Sequence, residues 1–399
     1  MLRKNLADLA RSDLDGRRVL IRVDYNVPLT EDGAVSDDTR VRATLPTLRH
    51  VLECGGRPVL LSHLGRPKGQ VVPSMSLAPV ASVLEEELGA PVRFVPSTDT
   101  DEAVIASKNL GSGEVLLLEN TRFLPGETTN EPAVAERFAQ LGDVFVNDAF
   151  GSTHRAHASV VGVAGFMRPA VAGFLVQREL EALSGLRLAV GRPFVVILGG
   201  AKIGDKIGLL ETFLGRADSV LIGGAMANTF LSAMGASTGR SLVEQDAVPV
   251  AGRFLATGGE RLVLPTDLVV ADAGAPDASD AIVVPAEAVP PELAAFDIGP
   301  DSREAFAAIV REAKTVFWNG PMGLFEKPGF DAGTVSVARA TAECTAAGGL
   351  TVIGGGDSAA AIRQAGLSDA VSHVSTGGGA SLEYLAAGSL PGIEALDPA

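Results

Sequence analysis

Phe194-Val195-Val196-Ile197-Leu198 runs directly into Gly199-Gly200-Ala201-Lys202-Ile203-Gly204-Asp205-Lys206, and this junction decides the fold. Five apolar residues without polar alternation mark a strand covered on both faces. The glycines end it with a tight turn, and a stretch of helix length follows. Working outward, the same unit recurs along the chain. N-terminal to the junction, apolar runs of strand length occupy residues 18–23, 58–62, 114–119 and 143–147; from it onward they occupy 194–198, 219–222, 262–264, 315–318 and 350–353. Most are followed by a polar or Gly-rich turn and an Ala/Leu/Glu-rich stretch, the alternation expected of βαβ units and a parallel sheet.

The two sets of runs are separated by Phe174-Leu175-Val176-Gln177-Arg178-Glu179-Leu180-Glu181-Ala182-Leu183, with apolar residues at 175, 176, 180 and 183 on one helical stripe. The expectation is therefore α/β, with two Rossmann-like doubly wound parallel-sheet domains joined by a helix and a cleft between them. The boundaries read as 1–173, a connecting helix 174–186, and 187–388, the last beginning near the turn Gly191-Arg192-Pro193. Residues 389–399 form a two-proline tail for which packing back on either half stays open, the N-terminal domain being one candidate. At roughly 150 residues per domain, 399 residues suit this division. No period of 20–50 residues recurs with matching letters, which excludes a solenoid or propeller.

Composition narrows the function classes. With 46% hydrophobic and 20% charged residues the chain is an ordered globular protein. Its 33 basic residues against 48 acidic ones give a charge of −15, which argues against general binding to nucleic acid or anionic membrane. Small anions sense only the local field and stay open as ligands. Cys54 and Cys344 lack neighbouring Cys or His at ligand spacing and read as reduced core thiols. The first residues lack the apolar run of a signal peptide, so the cytoplasm is the default location. The uncharged stretch 220–239 is broken by Gly223, Gly224, Asn228 and Gly235 and reads as strand plus helix, with no membrane span.

Ligands of open α/β sheets bind beyond the carboxyl ends of the strands, and the two halves place different chemistry there. In the first half the ends lead into Asp24-Tyr25-Asn26, His63-Leu64-Gly65-Arg66, Arg122, and Asn147-Asp148 followed by His154-Arg155-Ala156-His157; Arg40 follows an apparent helix start at Asp37-Asp38-Thr39. Any one arginine is most simply a surface salt bridge. Four converging on one sheet edge suit bidentate recognition of a multiply anionic metabolite. His50 and His373 read as structural.

The second half offers glycines, lysines and carboxylates. The turn 199–206 and the segment Gly354-Gly355-Gly356-Asp357-Ser358 each join a strand to a helix, where backbone N–H groups favour an anion. Each alone is equally consistent with close packing, but two such turns with lysines favour a polyphosphate. Lys206 stands two positions after Gly204 with no Ser or Thr following, so a Walker P-loop is unsupported. Residues 354–359 fit G-x-G-x-x-A, yet the ribose-binding acid expected about 20 residues later is missing from Ser375-Thr376-Gly377-Gly378-Gly379-Ala380. Asp357 reads better as a Mg²⁺ ligand.

Taken in order, RVDYNVP (22–28), SHLGRPKG (62–69), LLLENTRF (116–123), NDAFGSTHRAHAS (147–159), ILGGAKIGDKI (197–207), VFWNGPMGLFE (316–326), GGGDS (354–358) and STGGGASLEYL (375–385) resemble phosphoglycerate kinase over essentially the whole chain. Departures are small: Tyr25 stands for a usual Phe, Ser152-Thr153 for a common Thr-Ala, and Ala225 for a frequent Gly. The resemblance implies reversible transfer from 1,3-bisphosphoglycerate to ADP, giving 3-phosphoglycerate and ATP, with Mg²⁺ on the nucleotide, by a monomer.

It further implies that Asp24 and Asn26 bind the glycerate hydroxyl and carboxylate region. His63, Leu64, Gly65, Arg66, Arg122 and Arg155 surround the non-transferred phosphate, and Arg40 reaches the carboxylate and the moving phosphoryl group. Lys202 accompanies that group, and Lys206 holds nucleotide phosphates with the Gly355 and Gly356 amides, Asn319 and Ser358. Gly223 and Gly224 lie near adenine, Glu326 meets ribose, and Asp357 ligates Mg²⁺. Trp318 reads as packing. Hinge closure about the 174–186 helix is expected to bring the substrates together. A nicotinamide-dependent dehydrogenase and a non-enzymatic two-lobe anion-binding protein are the alternatives, and each leaves one half unexplained. Setting aside six site cations and three site acids leaves 27 basic against 45 acidic residues, so the acidity belongs to the exterior around a basic site.

Overall fold

The computed structural model describes residues 3–188 and 190–399. The chain divides into two compact units, Met1–Glu181 with Ala387–Ala399, and Ala182–Ala386. The division falls within the helix Phe174–Leu188, which extends two residues beyond the stretch expected from sequence.

The first unit carries β1 (Arg18–Arg22), β2 (Arg57–Leu61), β3 (Val92–Val95), β4 (Val115–Leu118), β5 (Val144–Asn147) and β6 (Ala170–Ala172). They form one sheet in the order β3-β4-β2-β1-β5-β6, parallel throughout. The chain winds outward from β1 on one side and returns to β5 on the other, so the switch point lies between β1 and β5. Val19, Ile21, Leu60, Leu117 and Val146 form the core on one face. Each fully buried aliphatic side chain of this kind contributes about 1.5–3 kcal/mol. Strands β3 and β6 had no counterpart among the apolar runs. β3 is an edge strand with exposed Arg93 in its middle, and β6 is three residues long.

The second unit carries β7 (Phe194–Leu198), β8 (Ser219–Ile222), β9 (Ser237–Thr238), β10 (Leu262–Val263), β11 (Asp267–Asp272), β12 (Ile282–Pro285), β13 (Ala288–Val289), β14 (Leu293–Ile298), β15 (Thr315–Asn319), β16 (Leu350–Gly354) and β17 (His373–Val374). Its main sheet, β10-β8-β7-β15-β16-β17, is parallel, with the switch point between β7 and β15. Around the core of Val195, Ile197, Leu221, Val316, Trp318 and Ile353 the sequence-derived strands agree with the observed ones to within a residue. A second sheet, β12-β11-β14, is antiparallel, and β13 pairs with β9. The βαβ reading missed these because no helix separates β11, β12, β13 and β14.

The uncharged stretch 220–239 holds β8 and the helix Gly224–Ala233. Among the described residues no helix is long and apolar enough to cross a membrane. Both cysteines are free. The Cys344 Sγ donates to the Ala313 carbonyl at 3.2 Å, and burial raises its pKa. His50 packs edge-on against Phe174, with ring centroids 5.1 Å apart.

The tail is part of the first unit. The Gly392 N–H donates to the Thr153 carbonyl at 2.8 Å. Asp397 pairs with Arg168 at 2.8 Å and accepts from the Ala170 N–H at 3.0 Å. A Cβ at position 392 would stand 2.7 Å from Val160 and 2.9 Å from Thr153 Cα, so glycine is required for this approach.

Candidate active site

In the first unit the site grows from the last residue of β1. Arg22 is level with Leu61 of β2 and Asn147 of β5, which sets its side chain beside the residues following β2. It is wholly buried, and each of its three guanidinium nitrogens is engaged: Nε donates to Ser159 Oγ at 2.9 Å, Nη2 meets His63 Nδ1 at 3.0 Å, and Nη1 donates to the Val23 carbonyl. Burial lowers its pKa, with Glu127 and Asp24 opposing. Burial also pushes His63 well below the usual imidazole range, with Arg22, Arg122 and Arg40 adding to the effect and Asp24 opposing it.

Asp24 pairs with Arg40 at 3.0 Å and lies 3.8 Å from His63 Nδ1. Burial opposes its ionisation, yet His63, Arg40, Arg22 and the Asn26 N–H together hold the carboxyl below its usual range. Arg40 comes from the first turn of the helix Thr39–Glu53, at the start expected from Asp37-Asp38-Thr39. Asn26 Oδ1 accepts from the Gly65 N–H at 2.8 Å, and the Arg122 Nη1 donates to the Gly65 carbonyl at 2.7 Å. Asn120 supports both neighbours, accepting from the Arg122 N–H at 3.0 Å and donating to the Leu64 carbonyl at 2.6 Å. Arg122 is largely buried and has its pKa reduced to about 10 by burial, then by Arg22 and Arg155. It remains a cation at neutral pH. Arg66 and Arg155 are exposed, and Arg155 Nε lies 3.0 Å from His154 Nε2.

Several participants escaped the sequence reading. Arg22 stood inside an apolar run, and its charge at the strand's last residue was the signal. Glu127 is buried and accepts from Ser159 Oγ at 2.5 Å and the Ser159 N–H at 3.0 Å. His157, quoted at the strand end but given no role there, is buried beside the arginines, its pKa reduced to about 4 by burial and by Arg122, Arg22 and Arg155. Asp148, by contrast, is structural: its Oδ1 accepts from the Leu175 N–H at 2.8 Å at the start of the helix Phe174–Leu188. Burial raises its pKa to about 6 against the Thr47, Val176 and Leu175 donors.

The second unit is built differently. Loops leaving β7, β8 and β15 cross with their backbones in contact: the Gly200 N–H donates to the Pro321 carbonyl, the Gly224 N–H to the Met322 carbonyl, and the Met226 N–H to the Gly200 carbonyl, each at 2.9 Å. Gly224 has φ +63°, and a Cβ there would lie 2.6 Å from the Gly200 nitrogen, so only glycine fits. Beside this crossing opens a pocket of about 390 Å³, lined among others by Gly200, Ala201, Gly224, Ala225, Leu242, Leu268, Phe296, Met322, Glu326 and Asp357. The overlooked antiparallel sheet supplies Leu268 and Phe296.

Of the sequence-derived residues, Gly224, Glu326 and Asp357 line this pocket. Lys202 is exposed on the adjoining turn, and Lys206 Nζ lies 3.5 Å from where a Gly200 Cβ would stand. The Gly223 N–H continues the sheet by donating to the Leu198 carbonyl at 2.9 Å. Gly355 and Gly356 open the helix Gly356–Gln364, whose first N–H groups have no intrahelical acceptors. Asn319 and Ser358 brace that turn: the Asn319 Nδ2 donates to the Gly354 carbonyl at 2.7 Å, and Ser358 Oγ accepts from the Gly320 N–H at 2.5 Å. In the 199–206 turn, the Ile203 and Gly204 amides are already taken by Glu244, at 2.7 and 3.2 Å. Those two amides are therefore not open to a ligand. Trp318 is buried, its Nε1 donating to the Gly320 carbonyl at 2.7 Å.

A basic cluster on one parallel α/β unit and an apolar pocket among glycine-rich turns, lysines and carboxylates on the other define a small-molecule phosphotransferase. Residues 8–388 match the family described as phosphoglycerate kinase. A phosphoglycerate kinase of Roseiflexus castenholzii is 53% identical over 404 residues, covering 100% of both chains. One of Thermus thermophilus is 54% identical, over 96% of this chain and 98% of the relative. The solved phosphoglycerate kinase of Coxiella burnetii superposes with a TM-score of 0.86 at 39% identity over 99% of each chain. The chain belongs to the phosphoglycerate kinase family. It is a phosphotransferase with a carboxyl acceptor, catalysing reversible phosphoryl transfer from 1,3-bisphosphoglycerate to ADP in glycolysis.

Proposed function

We propose that the first unit, through Asp24, Asn26, Arg40, His63, Leu64, Gly65, Arg66, Arg122 and Arg155, binds the phosphoglycerate. The second, through Lys202, Lys206, Gly223, Gly224, Asn319, Glu326, Gly355, Gly356, Asp357 and Ser358, binds the nucleotide. The observation that carries this reading is the contrast between the Arg22-Arg122-His63-Asp24 cluster and the apolar pocket holding Glu326 and Asp357. Fixed cations suit a small polyanion, whereas an apolar slot with a carboxylate suits a base and its ribose.

The attacking carboxylate of 3-phosphoglycerate has an ordinary pKa near ~4 and is ionised at neutral pH, so no general base is required. Catalysis reduces to alignment and charge compensation. Arg40, held by Asp24, meets the carboxylate and the phosphoryl group from one side, and the flexible Lys202 follows that group from the other. Asn319 and Ser358 act through the turn they brace. Asp357, an exposed carboxylate in the pocket lining, suits Mg²⁺, which takes one or two carboxylates together with substrate phosphates. When bound, the ion neutralises phosphate charge. Among the described residues no cluster of three His, Cys, Asp or Glu side chains stands together as a metal site.

Because each substrate is assigned to its own unit, transfer requires the units to approach, with bending at the helix Phe174–Leu188. We further propose that the enzyme acts as a cytoplasmic monomer. A coupled assay of ATP-dependent 3-phosphoglycerate phosphorylation, with and without Mg²⁺, tests the reading: turnover that is lost with chelator and restored by Mg²⁺ is expected. Turnover indifferent to Mg²⁺ overturns the metal assignment.

A further inference from the structure

Behind the proposed phosphoglycerate site runs a buried chain of hydrogen bonds of which only the last member, His63, meets substrate in the account above. Glu127 accepts from both Ser159 Oγ, at 2.5 Å, and the Ser159 N–H, at 3.0 Å. With its one hydroxyl proton directed to Glu127, Ser159 Oγ offers its lone pair to the Arg22 Nε at 2.9 Å. Arg22 Nη1 is occupied by the Val23 carbonyl, leaving Nη2 facing His63 Nδ1 at 3.0 Å. All four residues are buried.

The polarity of this chain is forced. A guanidinium has only donors, so His63 Nδ1 must be the acceptor in its contact with Arg22. The imidazole proton then resides on Nε2. Asp24 Oδ1, at 3.8 Å from Nδ1, is too far to claim an Nδ1 proton by hydrogen bonding. Burial and the surrounding arginines also disfavour a doubly protonated ring.

We propose that Arg22 is a positioning residue, oriented by Ser159 and Glu127, that locks His63 as the Nε2–H tautomer so that His63 meets the phosphoglycerate as a neutral donor. This rests on the proposed contact between His63 and that ligand, but the tautomer itself does not. Arg22 thereby contributes to the site without being a free cation: each of its three nitrogens has a partner, and Glu127 and Asp24 offset its charge.

The test is ¹⁵N NMR of the imidazole nitrogens in the full chain without substrate, with the His63 signals identified by their loss in His63→Gln. The expected spectrum has an unprotonated Nδ1 and a protonated Nε2. In Ser159→Ala and Glu127→Gln, which loosen Arg22, and in Arg22→Lys, which removes the fork, the two tautomers should become mixed. KM for 3-phosphoglycerate should then rise about tenfold, the scale of one lost charge-assisted hydrogen bond, while KM for MgATP stays constant. An Nδ1-protonated His63 in the native chain, or one unchanged in a folded Ser159→Ala chain, overturns the proposal. The ligand contact is tested separately by His63→Gln, whose KM for 3-phosphoglycerate rises if that contact exists and stays constant if it does not.

Discussion

The two units share an architecture and use opposite means to prepare a site at the sheet's switch point. The first invests in side chains: Arg22, His63, Arg122, Glu127 and His157 are buried ionisable groups whose pKa values are displaced chiefly by burial. The second invests in backbone: glycine loops cross in contact, and of the two lysines proposed to serve it Lys202 is exposed and Lys206 half-buried. A rigid cationic cluster suits a ligand that is held in place. An exposed lysine, Lys202, suits a phosphoryl group that moves.

That contrast can be broken at either end. Lys202→Ala should lower kcat by about 10²–10³-fold with small changes in either KM, because its charge matters most while the phosphoryl group is in flight; steady-state kinetics that move only a KM would refute this. Arg122→Ala should raise KM for 3-phosphoglycerate about 10–100-fold and leave KM for MgATP unaltered. In the second unit the equivalent injury is to backbone. Gly224→Ala, with φ +63° and its Cβ 2.6 Å from the Gly200 nitrogen, should cost about 1–3 kcal/mol of stability, measured by denaturant unfolding, and should also weaken nucleotide binding.

A subtler difference lies in pH dependence. Asp24 has a depressed pKa, so its contribution to stability is present above the usual carboxylate range and is lost as pH falls through its folded-state value. Asp297, lining the second unit's pocket, is the reverse: burial lifts it to about 7, against the Gly333 and Ile298 N–H donors. The folded chain therefore holds the Asp297 proton more tightly, and this group opposes folding increasingly as pH rises from the usual carboxylate range to about 7. Asp297→Asn should flatten the slope of Tm between pH 5 and 7, while costing about 1 kcal/mol at the acidic end for the acceptor it loses. An unchanged slope would contradict this assignment.

The site was legible where charge sits at a strand end and illegible where it hides within a strand. Asp24, His63 and Arg122 stood out after apolar runs, whereas Arg22 was counted into its run although it links Ser159 to His63. Asn319 and Ser358 were grouped with the phosphate contacts, and spacing alone could not show that their polar atoms are engaged by Gly354 and Gly320. The central parallel strands were recovered because burial on both faces leaves an uninterrupted apolar run, whereas the edge strands β3, β6 and β17 were not. β12 is also an apolar run, Ile282-Val283-Val284-Pro285, but it is exposed along most of its length and stands outside the alternation of strand and helix that the reading followed. Likewise the glycines of 199–206 marked a turn, but Glu244, 38 residues beyond Lys206, captures its amides.

The family departure at Tyr25 has the smallest expected effect. Its hydroxyl lies 2.9 Å from Thr44 Oγ1, whose own proton goes to the Val41 carbonyl. Tyr25→Phe should therefore cost about 1 kcal/mol without altering kinetics.

The division of labour itself is tested most directly by calorimetric titration of 3-phosphoglycerate and of MgADP, separately, into the full chain carrying Arg122→Ala or Glu326→Ala. The account predicts a crossed result: Arg122→Ala weakens 3-phosphoglycerate binding alone, and Glu326→Ala weakens MgADP binding alone. A substitution that weakens both ligands equally, or the wrong one, would contradict it.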